Sequence, residues 1–198
     1  SRVPPPANAA AAAIQLGTTP LAFDDRGVPR LLRATNVAAA PAPTVTASAR
    51  VHVERLSEAW GVRATAMPAL EAAGEVPVTN ATIARLRQVI DGIPVENGEL
   101  RVMIRGNGEL VATNGTLVGK NTPRKAAVFP DDDAGAVARA VTHNFKADFQ
   151  KTTLAQKQLR PDGTRTVAGR SGMVDVQLAR AQKVWHPVGG TLVAAWLV

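Results

Sequence analysis

The side chains best suited to metal or proton chemistry are three histidines, His52, His143 and His186, and they stand far apart in the chain. No His-Glu-x-x-His pair sets two imidazoles on one helical turn, so the ligand-and-base arrangement of a zinc hydrolase is missing from these residues. The three imidazoles are expected to be solvated or hydrogen-bonded. Cysteine is absent, which removes thiolate nucleophiles, disulfides and thiolate zinc sites in one step. Gly169-Arg170-Ser171-Gly172 surrounds a serine with glycines, but not at the spacing of a nucleophile elbow. Asp131, Asp132 and Asp133 offer three carboxylates, and the positive end of a helix following them is reason enough for their presence. Asn80-Ala81-Thr82 and Asn114-Gly115-Thr116 fit the glycosylation acceptor pattern, with nothing further to single out either. With no nucleophile beside a base, the chain is expected not to be an enzyme and to hold no cofactor or metal of its own.

Composition narrows the partners. Of the 198 residues 45% are hydrophobic, with 16 Gly and 14 Pro, a globular balance rich in turns. Aromatics make up 4% and Tyr is absent, so stacking platforms for bases are scarce and a nucleic-acid partner is not expected. No apolar run is long enough to span a membrane. The net charge is +7, and most of the surplus lies in residues 120–198. A basic lobe of that kind suits an acidic partner surface. Lys157, Arg160, Arg165 and Arg170 read as a solvated loop or as a contact to phosphate or acidic groups.

The elements that would position these groups follow from periodicity. Residues 1–20, rich in Pro and Ala, read as a flexible leader. Phe23 to Leu32 reads as strand, turn and strand, the turn at Asp25 to Gly27. A helix is expected from about Thr46 to Trp60, capped by Thr46 or Ser48, with Ala49, Val53, Leu56 and Trp60 on one face. Strands are expected at 83–90, 100–105 and 110–117, the last two joined by Gly106-Asn107-Gly108. Residues 120–130 read as a linker. A second helix then follows the three aspartates, its apolar stripe formed by Ala134, Val137, Ala138, Val141 and Phe145. Strands at 173–185 and 191–198 close the chain around Pro187 to Gly190, and residues 146–172 are too polar to assign.

Arg87 to Val102, with Gln88, Gly92-Ile93-Pro94-Val95 and Gly98, resembles the strand-turn-strand core of fungalysin/thermolysin propeptide domains. Gly108 to Leu117, ending in an Asn-Gly turn, is similar to the next strand of that family, and Phe23 to Arg30 to its first. Val184 to Trp196 is similar to the close of the PepSY-like lobe that precedes a fungalysin catalytic domain. The resemblance implies an α+β fold of two cystatin-like lobes, each a helix packed on a curved antiparallel sheet. The first would span 21–119 and the PepSY-like second 131–198. It implies a secreted chain, extracellular or periplasmic, that helps its zinc metalloprotease fold and blocks the cleft until cleaved. The zinc would belong to that catalytic domain. A free-standing secreted inhibitor or binding module of the same fold is the alternative.

Two segments are candidates for contact with the protease. Pro94 fixes φ and lacks an N–H, and Gly92 and Gly98 free the backbone on either side, so Gly92, Ile93, Pro94 and Val95 read as a kinked, exposed connection. Such a connection serves a docking loop or a plain structural corner. Thr191 to Val198 is apolar on both faces, as fits a strand covered by a partner or one buried at the centre of its own sheet. On the first reading Trp196, Leu197 and Val198 lie at the protease cleft, and if the natural chain is cut after Val198 its carboxylate lies near the zinc.

Overall fold

A computed structural model describes residues 9–125, 128–146, 153–171 and 173–198. The fold is α+β, and the chain divides into two units, Ser1–Pro123 and Arg124–Val198.

The first unit holds helix α1 (Ala9–Gln15), strands β1 (Thr18–Phe23) and β2 (Pro29–Ala34), helix α2 (Val45–Arg55), and strands β3 (Ala69–Val78), β4 (Ala81–Ile90), β5 (Ile93–Ile104) and β6 (Leu110–Asn114). Its strands pair antiparallel throughout, in the order β1-β2-β6-β5-β4-β3. Residues 9–20, read from the sequence as a flexible leader, are instead helix and strand. Ala9 and Ala13 are buried, and the Thr18 hydroxyl donates to the Ala13 carbonyl at 2.6 Å. The small alanine side chains that suggest low complexity are what lets this short helix lie close to its neighbours. Residues 1–8 lie outside the described residues.

Helix α2 begins where the Thr44 hydroxyl accepts the Ala47 N–H, so Thr44 is the cap in place of Thr46 or Ser48. The Thr46 hydroxyl and N–H instead go to the Glu75 carboxylate on β3. The helix stops at Leu56, and Ser57–Trp60 tightens into a 3-10 turn closed by Gly61 in the left-handed region. Ala49, Val53 and Leu56 still share one face, packed on Ala84, Leu86, Leu100, Val102 and Ile104. That alternation along β4 and β5 is the core of the unit, and the facing residues Arg85 and Arg101 are outside it.

The second unit holds β7 (Arg124–Lys125), α3 (Asp133–Phe145), β8 (Ala155–Leu159), β9 (Arg165–Ser171), β10 (Val174–Val188) and β11 (Thr191–Leu197). The order is β8-β9-β10-β11-β7, antiparallel except for β7, which runs parallel to β11. β7 falls within the stretch read as a linker. Val137 and Val141 of α3 pack on Val167 and Ala181, whereas Phe145, expected in the stripe, is exposed at the last turn. β8 and β9 occupy residues too polar to assign from periodicity, because β8 is exposed along its length. Of that stretch, 147–152 and 172 lie outside the described residues. The three aspartates each meet a backbone or side-chain donor. Asp132 caps Gly135 N at 2.7 Å, Asp133 accepts from Ala134 N, and Asp131 pairs with Arg139 at 2.6 Å.

Candidate functional site

Strands β4 and β5 are joined by the two-residue turn Asp91-Gly92, both at positive φ, which is the hairpin geometry that Asp-Gly favours. Gly92 to Pro94 is therefore the paired start of a tight hairpin, and the kink falls later, at Val95 to Gly98. Ile93 pairs with Ile90 and Pro94 with Val89, while Val95 is buried. The irregularity lies further on, where Gln88 alone stands against Val95 to Gly98 and the register slips. A bulge bends its strand and re-aims the side chains beyond it.

Gln88 makes that bulge possible. Its side chain is fully buried, and Nε2 donates to the Gly98 carbonyl at 2.8 Å and to the Thr116 carbonyl at 2.7 Å. Oε1 accepts the Val118 N–H at 2.7 Å. The amide thus does for three chain segments what a ladder peptide would do for two, and satisfies backbone groups that the bulge would otherwise leave unpaired. The segment arriving from β6 is held closely. Gly115 N donates to Arg30 O, the Trp60 indole donates to Gly115 O at 3.1 Å, and a Cβ at Gly115 would stand 2.5 Å from Glu99 O.

Between these anchors lies a polar cleft of about 610 Å³, lined by Asp24, Arg30, Asn97, Glu99, Arg101 and Asn114 with the backbone of 115–116. The Glu99 carboxylate sits between Arg85 at 2.6 Å and Arg101 at 2.8 Å. The Arg85 hydrogen bond first, and Arg101 with it, hold its pKa below the usual range against the opposing effect of burial. For Asp24 burial pushes the pKa up, and the Arg26 side chain with the N–H groups of Val28 and Arg26 outweighs it, leaving the pKa lowered. Both carboxylates are therefore ionised acceptors already engaged by arginine, not bases poised to take a proton. What the cleft presents outward is guanidinium, amide and carbonyl, groups that hydrogen-bond a polypeptide.

His52, of the three histidines, is fully buried, and its Nε2 donates to the Gly108 carbonyl at 2.9 Å, tying α2 to the turn between β5 and β6. His143 and His186 are exposed. Trp196, Leu197 and Val198 lie in the other unit, at the end of β11. Trp196 is half-buried, with its indole donating to Asp131 O at 2.9 Å, while Leu197 and Val198 are about half exposed. β11 buries Leu192 and Ala194, so one face is covered within the unit and the other only partly.

Residues 76–117 match a family model, the Fungalysin/Thermolysin Propeptide Motif. This segment resembles the propeptide motif of that family. No curated protein matches the chain. The propeptide motif begins at the end of β3, takes in the β4–β5 hairpin, Gln88 and its bulge, and ends as the chain leaves β6. Asn97, Glu99, Arg101, Asn114 and Thr116 of the cleft belong to the motif; Asp24 and Arg30 come from outside it. The match supports the role of a protease pro-region, with a fungalysin/thermolysin-type catalytic domain as its partner. Among the described residues no helix is long and apolar enough to cross a membrane.

Sequence reasoning missed the cleft. Its one advance signal is the alternation that puts Glu99 and Arg101 on the wet face of β5; that Asp24 and Arg30 join them depends on β2 pairing with β6, which no local pattern announces.

Proposed function

We propose that the chain is the pro-region of a secreted fungalysin-type zinc metallopeptidase, acting as its intramolecular chaperone and as an inhibitor that blocks the cleft until cleaved. The observation that carries this is the propeptide motif at 76–117, built on the bulge that the Gln88 amide locks. On this reading the two units are cystatin-like lobes, the second PepSY-like. A rigid template of this kind assists folding by stabilising its partner's transition state, which lowers the barrier in both directions unless the partner's native state is held as well.

The hairpin Gly92 to Val95 serves as one docking element. Leu197 and Val198, exposed at the end of β11, serve as the other, with Trp196 anchoring them.

The test is refolding in trans. The denatured catalytic domain is diluted from denaturant with and without the chain, and peptidase activity is measured after the chain is digested away. Recovery only when the chain is present, and inhibition of mature enzyme by added chain, are the expected results. Equal recovery without it, together with no inhibition, sinks the proposal.

A further inference from the structure

The second unit carries a strip in which three cations and three aromatic rings meet in space though not in sequence. Lys183 and Trp185 are two residues apart on β10 and share a face. Trp196 on β11 is the cross-strand partner of Lys183. Arg165 on β9 stands opposite Ala181, which shares that face, and Arg124 on β7 stands opposite Leu192. Phe129 lies over the group, its ring centroid 6.0 Å from those of both Trp185 and Trp196. Arg124 sits 5.3 Å from the Trp185 centroid, Lys183 4.7 Å from Phe129 and 5.6 Å from Trp196, and Arg165 5.3 Å from Trp196. The contacts thus run from Arg124 to Trp185, Phe129, Lys183, Trp196 and Arg165.

Two carboxylates of the segment that leads into α3 are already engaged. Asp131, whose carbonyl takes the Trp196 indole, gives its carboxylate to Arg139, and Asp132 caps its helix. Arg165 Nε is buried without a hydrogen-bond acceptor among the described residues. Residues 124–198 also hold more Lys and Arg than Asp and Glu. Rings packed against one another under cations, one pair edge to face and the other tilted, offer poor stacking faces for a base, which disfavours single-stranded nucleic acid. A carboxylate needs only the guanidinium or ammonium head, and positive heads already oriented by the rings beneath them lose little freedom on binding it.

We propose that this strip is a docking site for an acidic segment of a protein partner, engaging Asp or Glu side chains at Arg165 and Lys183. It rests on the preceding reading only for the identity of that partner, the catalytic domain.

The whole chain is titrated with hexaglutamate at low and high salt, following tryptophan fluorescence, and in parallel with an oligothymidylate of similar charge. Saturable binding of hexaglutamate that weakens with salt, and that falls roughly tenfold in the Arg165→Gln/Lys183→Gln double variant but not in Lys157→Gln on β8, is the expected result. Lys183→Gln alone provides the same comparison should the double variant melt early. No hexaglutamate binding at low salt, equal loss in Lys157→Gln, or tighter saturation by oligothymidylate overturns the inference. Association with the catalytic domain is then timed. A slower rate in the double variant supports the assigned partner, whereas an unchanged rate alongside lost hexaglutamate binding keeps the acidic-segment site and removes the catalytic domain as its occupant.

Discussion

The Gln88 side chain spans the bulge in β5 to reach the Gly98 carbonyl at 2.8 Å. Gln88→Leu keeps the volume and removes the amide. It strands the Gly98 and Thr116 carbonyls and the Val118 N–H, each at about 1–3 kcal/mol, so a loss of roughly 3 kcal/mol or more is expected in urea unfolding. Gln88→Glu should also lose stability, because it retains the acceptor for Val118 but neither donor. A loss under about 1 kcal/mol in both variants would show that the bulge holds without the amide.

Gly92 and Gly115 both have positive φ but different surroundings. No atom lies within 4 Å of a Cβ at Gly92, whereas one at Gly115 meets Glu99 O at 2.5 Å. Gly92→Ala should therefore cost about 1 kcal/mol from backbone strain alone, and Gly115→Ala about 3 kcal/mol or more. If the hairpin docks on the protease, Gly92→Ala lowers the yield of active enzyme further than its small effect on melting explains. Proportionate losses in melting and yield would make the hairpin a structural corner only.

Protonation of His52 should weaken the first unit in mild acid. Burial is the main cause of its lowered pKa, Arg55 adds to it, and the Gly108 carbonyl opposes it. Nδ1, where the second proton must go, is buried without a partner among the described residues. The sign follows from linkage. The unfolded chain binds the proton at about pH 6.5, the fold only at lower pH, so stability is full above about 6.5 and declines below it toward the folded pKa. Urea midpoints at about pH 8 and about pH 5 check this, and His52→Gln, which can still donate to Gly108, should flatten the difference. An equal slope in the variant would assign the effect to other groups.

Shortening the chain tests the inhibitory role of its end, provided the cut respects Trp196. Removing Leu197 and Val198, each about half exposed, should leave the melting temperature nearly unchanged and weaken inhibition of the mature protease. Removing Trp196 as well takes away the Asp131 bond and the contact with Phe129, and should destabilise the second unit outright. Full inhibition by the chain lacking only Leu197 and Val198 would place the blocking element elsewhere.

Much of this was readable before the structure. The Gly106 to Gly108 turn, the helix after the three aspartates and the paired strands at the end all announce themselves through local chemistry. β3 does not. Its residues are almost all exposed, so no apolar alternation marks it, and Gly74 and Pro77 look like breakers when they are the bulge and proline of a sheet edge. α1 was hidden by its alanines. At the site, Gln88 could be singled out by its place in a familiar pattern, but not its bonds, because 98, 116 and 118 are brought to it by a bulge and a chain reversal. The cation and aromatic strip draws on four strands, and only their register sets Arg165 beside Trp196.

Strands β3, β4, β5 and β6 pair with their neighbours in the chain, whereas β2 reaches β6 across a long separation, Leu31 against Asn114. Closing short loops costs less entropy than closing long ones, and chains dominated by near-neighbour contacts fold faster. The propeptide motif lies almost wholly within that meander, so the part of the chain that matches the family is also the part able to acquire its shape first, before its own N-terminal strands have joined it.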